Sequence, residues 1–383
     1  MPSSKFVVAA VACLAMASAS AFAVSTPASA DLIPSILAGP AVPEVADLNK
    51  DGHPDVAISN FLLGASVSVF LGKAGGGFQP AVRYLTGGQA DYVGIEDFNN
   101  DGDLDLAVTN LTTHNVSILI GRGDGTFLNS VNYPTGIGPG AMAVGDFNED
   151  GNVDLATSNQ EPTMSVLLGK GDGTFARAVP LFTDLGVGTG SADTADFDGD
   201  GHLDLLRGNY VNSTTQIFRG RGDGTFSPPE TTGEGGFTAW YGDATDVNRD
   251  GKPDVLFSNL ATSTVSIRLN TGSGTFGSAK SYPTGLLPQC FDLADINGDQ
   301  ELDMAVASGG TGSFSILLGA GNGTFKPSRT YFSGLVPLST PLLEDFNGDG
   351  KIDAVMGNTG SGTISLHLGN GDGTFQKPTY YPA

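Results

Sequence analysis

The chain has 383 residues, 18 Lys and Arg against 41 Asp and Glu, a formal charge of −23 and 15% charged residues. With so little basic charge and no basic stripe, it offers nothing to nucleic acid or to an anionic membrane surface. Its 56 Gly, its two Cys and the absence of helical periodicity after residue 31 point to short strands and tight turns without a disulfide frame.

Residues 1–30 run through Lys5, an apolar stretch from Phe6 to Met16 and the small residues Ala28-Ser29-Ala30. This is the layout of a secretory signal peptide, with cleavage after Ala30 favoured over Ala23. The apolar run is too short to stay in a bilayer and nothing after it is long enough. The expected product is therefore secreted, extracellular or held in a periplasm or at a cell surface, with no integral membrane segment. Residues 31–383 read as one domain, in which Cys290 is a lone thiol best read as a small core residue.

From residue 47 onward the pattern D-x-[ND]-x-D-[GQ]-x-x-D recurs at intervals of 49 or 50 residues. In chain order its side-chain oxygens come from Asp47, Asn49, Asp51 and Asp55, then Asp97, Asn99, Asp101 and Asp105, then Asp146, Asn148, Asp150 and Asp154. The fourth copy has Asp196, Asp198, Asp200 and Asp204, and the fifth Asp246, Asn248, Asp250 and Asp254. Asp295, Asn297, Asp299 and Asp303 make the sixth, and Asp345, Asn347, Asp349 and Asp353 the seventh.

Oxygens at positions 1, 3, 5 and 9, with the backbone carbonyl of position 7, suit a hard cation that takes six to eight oxygen ligands, and Ca²⁺ is the usual one. A carbonyl ligand is indifferent to its side chain, which accounts for the variety at position 7 (His53, Asp103, Asn152, His202, Lys252, Glu301, Lys351). Position 6 is Gly in six copies, as a positive φ requires, but Gln300 in the sixth, a departure costing about 1 kcal/mol. No copy has the Glu at position 12 of an EF-hand. Three carboxylates in one short loop repel unless a cation neutralises them, so up to seven structural Ca²⁺ are expected. Three Asp in each of seven loops plus Asp198 account for 22 of the 41 carboxylates. Most of the acidity is thus ligand inventory.

About 30 residues after each opening Asp comes a second landmark, as in LGKAGGGF to Phe78, IGRGDGTF to Phe127 and LGNGDGTF to Phe375. It reads as a Gly-rich hairpin turn leading into a strand that begins at the Phe. Two apolar runs separate the landmarks, such as Leu104–Val108 and Val116–Ile120. One unit therefore has four strands, and the units fall at about 39–86, 87–135, 136–185, 186–235, 236–284, 285–334 and 335–383. Four short antiparallel strands at a period near 50 residues describe a propeller blade. The expected fold is an all-β, seven-bladed β-propeller, with a calcium loop between the first and second strands of each blade and the ring closed by packing of blade faces.

The run DFNNDGDLDLAV followed by SILIGRGDGTF resembles the FG-GAP or VCBS-type repeat, found in the integrin α-chain propeller and in many secreted proteins. That resemblance implies the propeller fold and calcium ligation at the seven loops. It does not select a function, because relatives include adhesion receptors, lectins and propellers carried beside catalytic domains.

For function, the first strands would line the axis, and five to six residues before the opening Asp the repeats diverge. Asp91 and Tyr92 in the second repeat, with Trp240 and Tyr241 in the fifth, form a candidate cluster for stacking and hydrogen-bonding a sugar or peptide. Asp193, Asp243 and Asp292, three residues before the opening Asp of consecutive repeats, suit an axial cation or amine, or simply face water. The RGD tripeptides at Arg122 and Arg221 fall out of the G-x-G-D-G template. Four His, no nucleophile elbow and no HExxH motif leave no catalytic residue to assign. The reading is a monomeric, non-enzymatic binding or adhesion module for extracellular carbohydrate or protein, with a polysaccharide lyase or hydrolase as the alternative.

Overall fold

The computed structural model describes residues 40–61, 64–183, 190–209, 214–232, 239–334 and 339–383. The proposed signal peptide, residues 1–30, lies outside them. The described chain forms seven four-stranded antiparallel sheets, each in the order first–second–third–fourth strand, and so a seven-bladed β-propeller. Among the described residues there is no helix.

The second strands show most directly how the repeat sets the architecture. They run Asp55–Asn60, Asp105–Asn110, Asp154–Asn159, Asp204–Asn209, Asp254–Asn259, Asp303–Ser308 and Asp353–Asn358. Each begins on the ninth residue of the acidic loop, so the loop lies between the first two strands of every blade. These central strands are buried on both faces, as in Asp105–Asn110, where every residue is buried, which is why they read as largely apolar runs. The outer strands, such as Val131–Pro134, are largely exposed.

The fourth strand starts later than the hairpin spacing predicts. It runs Val82–Leu85, Val131–Pro134 and Thr379–Pro382 in the first, second and seventh blades, each four residues past the Phe. Phe78, Phe127 and Phe375 instead make a single antiparallel bridge to Gly72, Gly121 and Gly369. The ring is needed elsewhere. Phe175 meets Phe98 at 5.7 Å, Phe226 meets Phe147 at 5.7 Å and Phe276 meets Phe197 at 5.8 Å, each edge to face. The second partner is position 2 of the preceding blade's acidic loop, so every such pair joins two blades.

The same contact closes the ring. Phe78 of the first blade packs at 5.7 Å on Phe346 of the seventh, within one core cluster that also holds Val56, Ile58, Val355 and Ile364. Arg83 donates a hydrogen bond to the carbonyl of Ala383 across this seam. Replacing Phe175 by Ala would remove an aromatic ring from the seam between the second and third blades. About 3 kcal/mol of destabilisation is expected, read as a lower midpoint in denaturant unfolding.

Candidate functional site

Each acidic loop is wound on its own amides. In the first, Asp47 accepts the N–H of Asp51 at 3.0 Å and of Gly52 at 2.8 Å, Asn49 accepts Asp51 N–H at 2.9 Å, and Asp51 accepts His53 N–H at 2.9 Å. The seventh repeats the arrangement, Asp345 accepting from Asp349 at 3.1 Å and Gly350 at 2.7 Å. Position 6 is left-handed throughout, and Gln300 adopts φ 69° where the others have Gly. Its N–H still reaches Asp295 at 2.7 Å, so the sixth loop keeps its shape despite the strain.

Position 4 is left-handed as well, and the sign of it in the sequence is Gly199, Gly298 and Gly348 at that place in three copies. Lys50 (φ 60°), Asn100 (58°), Glu149 (56°) and Arg249 (58°) hold that conformation without being Gly. Four non-Gly residues in that region store backbone strain that the surrounding hydrogen bonds must hold. Position 4 also reaches sideways. The Lys50 ammonium pairs with Asp103, Asn100 donates to Asn152 at 2.9 Å, and Glu149 pairs with His202. Each partner is position 7 of the next loop, so the side-chain variety there follows the neighbour's position 4 as well as tolerance of a carbonyl ligand.

The ninth residue has another role besides. Asp105 is fully buried, and accepts the N–H of Phe98 at 3.0 Å on one oxygen and of Gly121 at 2.7 Å on the other. Asp55, Asp154, Asp254 and Asp353 repeat both bonds. One carboxylate thus ties the loop to the Gly-rich turn. Burial pushes Asp105 up to about 6 despite these donors, and the nearby Asp101 and Asp97 add to the rise. A divalent ion in the loop would act in the opposite sense. The donor set is oxygen throughout, and one oxygen of Asp105 keeps a lone pair beyond its single N–H. These residues fit a hard cation. Asp196, Asp198 and Asp204 in the fourth loop bring carboxylate oxygens within 4.8 Å of one another.

A second feature lies on the axis. A cavity of about 470 Å³ is lined by the first strands of all seven blades. Asp193, Asp243 and Asp292 all face it, joined by Glu44, which stands in the same register three residues before Asp47 and was legible there. Asp193 accepts Ala244 N–H at 2.7 Å and Asp292 accepts Leu343 N–H at 2.8 Å, so each also ties its blade to the next. Burial pushes Glu44, Asp193 and Asp292 up to about 7, with Asp292 acting on Glu44 and Asp243 on the other two.

Tyr92 and Tyr241 line this cavity together, Tyr92 donating to Glu44 at 3.3 Å and Tyr241 set edge to face on Phe291 at 5.1 Å. Asp91 is not in the lining; burial pushes it up to about 6. The Trp240 side chain lies outside the described residues. Cys290 is buried and its thiol is pushed up to about 12 by burial, as expected of a core residue. In both RGD tripeptides the Asp bonds its own turn, Asp124 to Thr126 and Asp223 to Thr225, as the template requires. Asn110, in a glycosylation sequon, is fully buried.

The chain matches the FG-GAP-like repeat over residues 97–157, 146–207, 208–257, 246–306 and 345–383. It belongs to the FG-GAP-like repeat family. No curated protein matches it. Among solved structures, this FG-GAP-like chain is similar to an Agrocybe aegerita lectin described as recognising non-reducing terminal N-acetylglucosamine. The two share 18% identity at a TM-score of 0.59, covering 89% of this chain and 94% of that one. It is also similar to the Pseudomonas aeruginosa periplasmic gluconolactonase PpgL, at 12% identity and TM-score 0.63, covering 86% and 96%. A Desulfotomaculum acetoxidans protein of unknown function shows 14% identity and TM-score 0.56, covering 83% and 96%. Such identities carry the propeller architecture alone.

Two outcomes follow from this geometry. Asp105→Asn would turn an amide donor toward buried N–H groups, and should cost about 3 kcal/mol in unfolding by the strength of hydrogen bonds to charged groups. Glu44 has a folded-state pKa of about 7 against 4.5 for the free side chain, so its folded form holds the proton more tightly. Its contribution is full below pH 4.5 and is lost as pH rises through 7. In saturating calcium, the melting temperature of the parent protein should fall between pH 5 and 8 more steeply than that of Glu44→Gln; parallel profiles would contradict this.

Proposed function

We propose that this protein is a secreted, calcium-stabilised propeller that binds extracellular carbohydrate or protein at its axial face. The observation that carries the reading is the meeting of Tyr92 and Tyr241 in one cavity with Glu44, Asp193, Asp243 and Asp292. Aromatic walls with a few carboxylate acceptors suit the apolar faces and hydroxyls of a sugar, or a peptide bearing an amine. Asp91 lies off the cavity lining, next in the chain to Tyr92, and it and Trp240 keep their place in the proposal on sequence alone. Calcium is the structural part of the reading, held by positions 1, 3, 5 and 9 of the acidic loops. When bound, the ion supplies charge neutralisation, and the loop residues orient themselves and the neighbouring Gly-rich turn around it. The leader at 1–30 would deliver the chain to a compartment where calcium is abundant, and a monomer needs no further partner.

A second reading has a specific observation behind it. Carboxyl groups raised to about 7 are poised for proton transfer near neutrality, which is what glycoside chemistry asks of one member of an acid pair. A glycan array with calcium and with chelator separates the two. Retention of intact glycans, weakened by Tyr92→Ala or Tyr241→Ala about 10-fold or more, supports the binding module; release of oligosaccharide supports the enzyme; no retention and no release would end both. For the metal, chelation should lower the melting temperature sharply, since each site filled at about tenfold its dissociation constant would add about 1.4 kcal/mol. An unchanged melt would remove calcium from the reading.

A further inference from the structure

The fourth loop departs from the other six in two places at once. Position 3 is Asp198 where every other copy has Asn, and the residue opening the Gly-rich turn is Arg219 where the others have Leu71, Ile120, Leu168, Leu269, Leu318 and Leu368. Over positions 1, 3, 5 and 9 and that turn residue, the added negative and the added positive charge cancel, leaving the net charge of three carboxylates found in the other six copies.

The structure brings the two substitutions together. Nη1 of Arg219 donates to Oδ2 of Asp204 at 2.8 Å, its Nε lies 3.8 Å from Oδ2 of Asp198, and the side chain is only 12% exposed. Its Nη2 donates to the carbonyl of Gly274 in the next blade at 3.2 Å and lies 3.4 Å from Glu230. The Leu of other repeats occupies this place against the next blade's Gly, as Leu168 does against Gly224. Arg219 therefore keeps the inter-blade contact with its stem and sends its charge into the acidic loop.

We propose that the fourth loop carries its cation in its own sequence, Arg219, and so does without the divalent ion that the other loops take. The assignment rests on the calcium reading of those other loops. The stereochemical reason is the lone-pair count on the ninth residue. Oδ2 of Asp105 accepts one N–H, whereas Oδ2 of Asp204 accepts both the Phe197 N–H at 3.1 Å and the Arg219 guanidinium, while Oδ1 accepts Gly220 N–H at 2.8 Å. The oxygen that takes a single N–H in Asp55, Asp105, Asp154, Asp254 and Asp353 is filled here by a cation, whereas in the sixth loop Oδ2 of Asp303 takes its second bond from the neutral Asn297 amide at 3.1 Å. The close gathering of Asp196, Asp198 and Asp204 then has a cause other than a metal site. A planar donor fork shared between Asp198 and Asp204 draws them together, and a second cation beside the guanidinium would meet like charge.

The test counts calcium. Full-length mature protein and the double variant D198N/R219L, which restores the pair found in the other six loops, are compared by equilibrium dialysis against calcium alone. The variant should bind one more equivalent than the parent. Equal, non-zero binding by both proteins would overturn the Arg219 assignment and leave the calcium reading standing, while no calcium on either would overturn that reading and the assignment with it. A second measurement needs no variant. In chelator, hydrogen exchange of the parent protein should leave the amides of Phe197 and Gly220 protected while those of Phe98 and Gly121 exchange at least 10-fold faster. Equal loss of protection at both pairs would overturn the assignment.

Discussion

Everything in this propeller hangs from a buried carboxylate. The ninth residue of each acidic loop sits at zero exposure at the head of the second strand, with one oxygen on an amide of its loop and the other on an amide of the Gly-rich turn. Burying an anion is unfavourable unless its lone pairs are filled. Here two main-chain N–H groups fill most of them, and in doing so they fix where the strand begins, how the loop folds back and where the turn sits. A carboxylate can make both bonds at once and a neutral amide cannot, because one end of an amide is a donor. The Asp is kept in all seven copies while its neighbours at positions 7 and 8 change freely.

The loops are also where blades meet. Position 2 sends an aromatic or aliphatic side chain to the Phe of the following blade, and its carbonyl accepts from that blade's turn, Leu48 from Gly125 at 3.1 Å and Phe98 from Gly173 at 3.0 Å. Positions 4 and 7 link successive loops by matched side chains, Lys50 with Asp103 and Glu149 with His202. A repeat array usually ends in exposed faces that need capping. This one needs no cap, since Phe346 of the last blade meets Phe78 of the first through the same contact. Loop order and ring closure are therefore one property, and whatever stiffens the loops stiffens the wheel.

Freed from those duties, the inner strands diverge. The register three residues before the opening Asp holds Glu44, Asp193, Asp243 and Asp292 in four blades, and Gly94, Ala143 and Leu342 in the other three. One side of the axial cavity is thereby acidic. Two of the four carboxylates, Asp193 and Asp292, also receive amides from the next blade, so the wall that would meet a ligand helps hold the blades together. Blade four shows the same economy at the rim, where Arg219 serves both the seam and the acidic loop.

Periodicity in the sequence determined the number of blades, the four strands in each and the place of the acidic loop, because a motif repeated seven times can only be satisfied by seven equivalent surroundings. Local chemistry was legible too, in the Gly of position 6 and the template origin of the RGD turns, since both depend on residues close in the chain. The start of the fourth strand was not, because the Phe that marks it is claimed by the neighbouring blade. The sequence grouped Tyr92 and Tyr241 at the axis, but could not reveal that Asp91 lies off the lining of the cavity they share, or that Arg219 reaches back to Asp204. Those pairings join side chains distant along the chain or set by the pleat, and only closure of the ring brings them to one place.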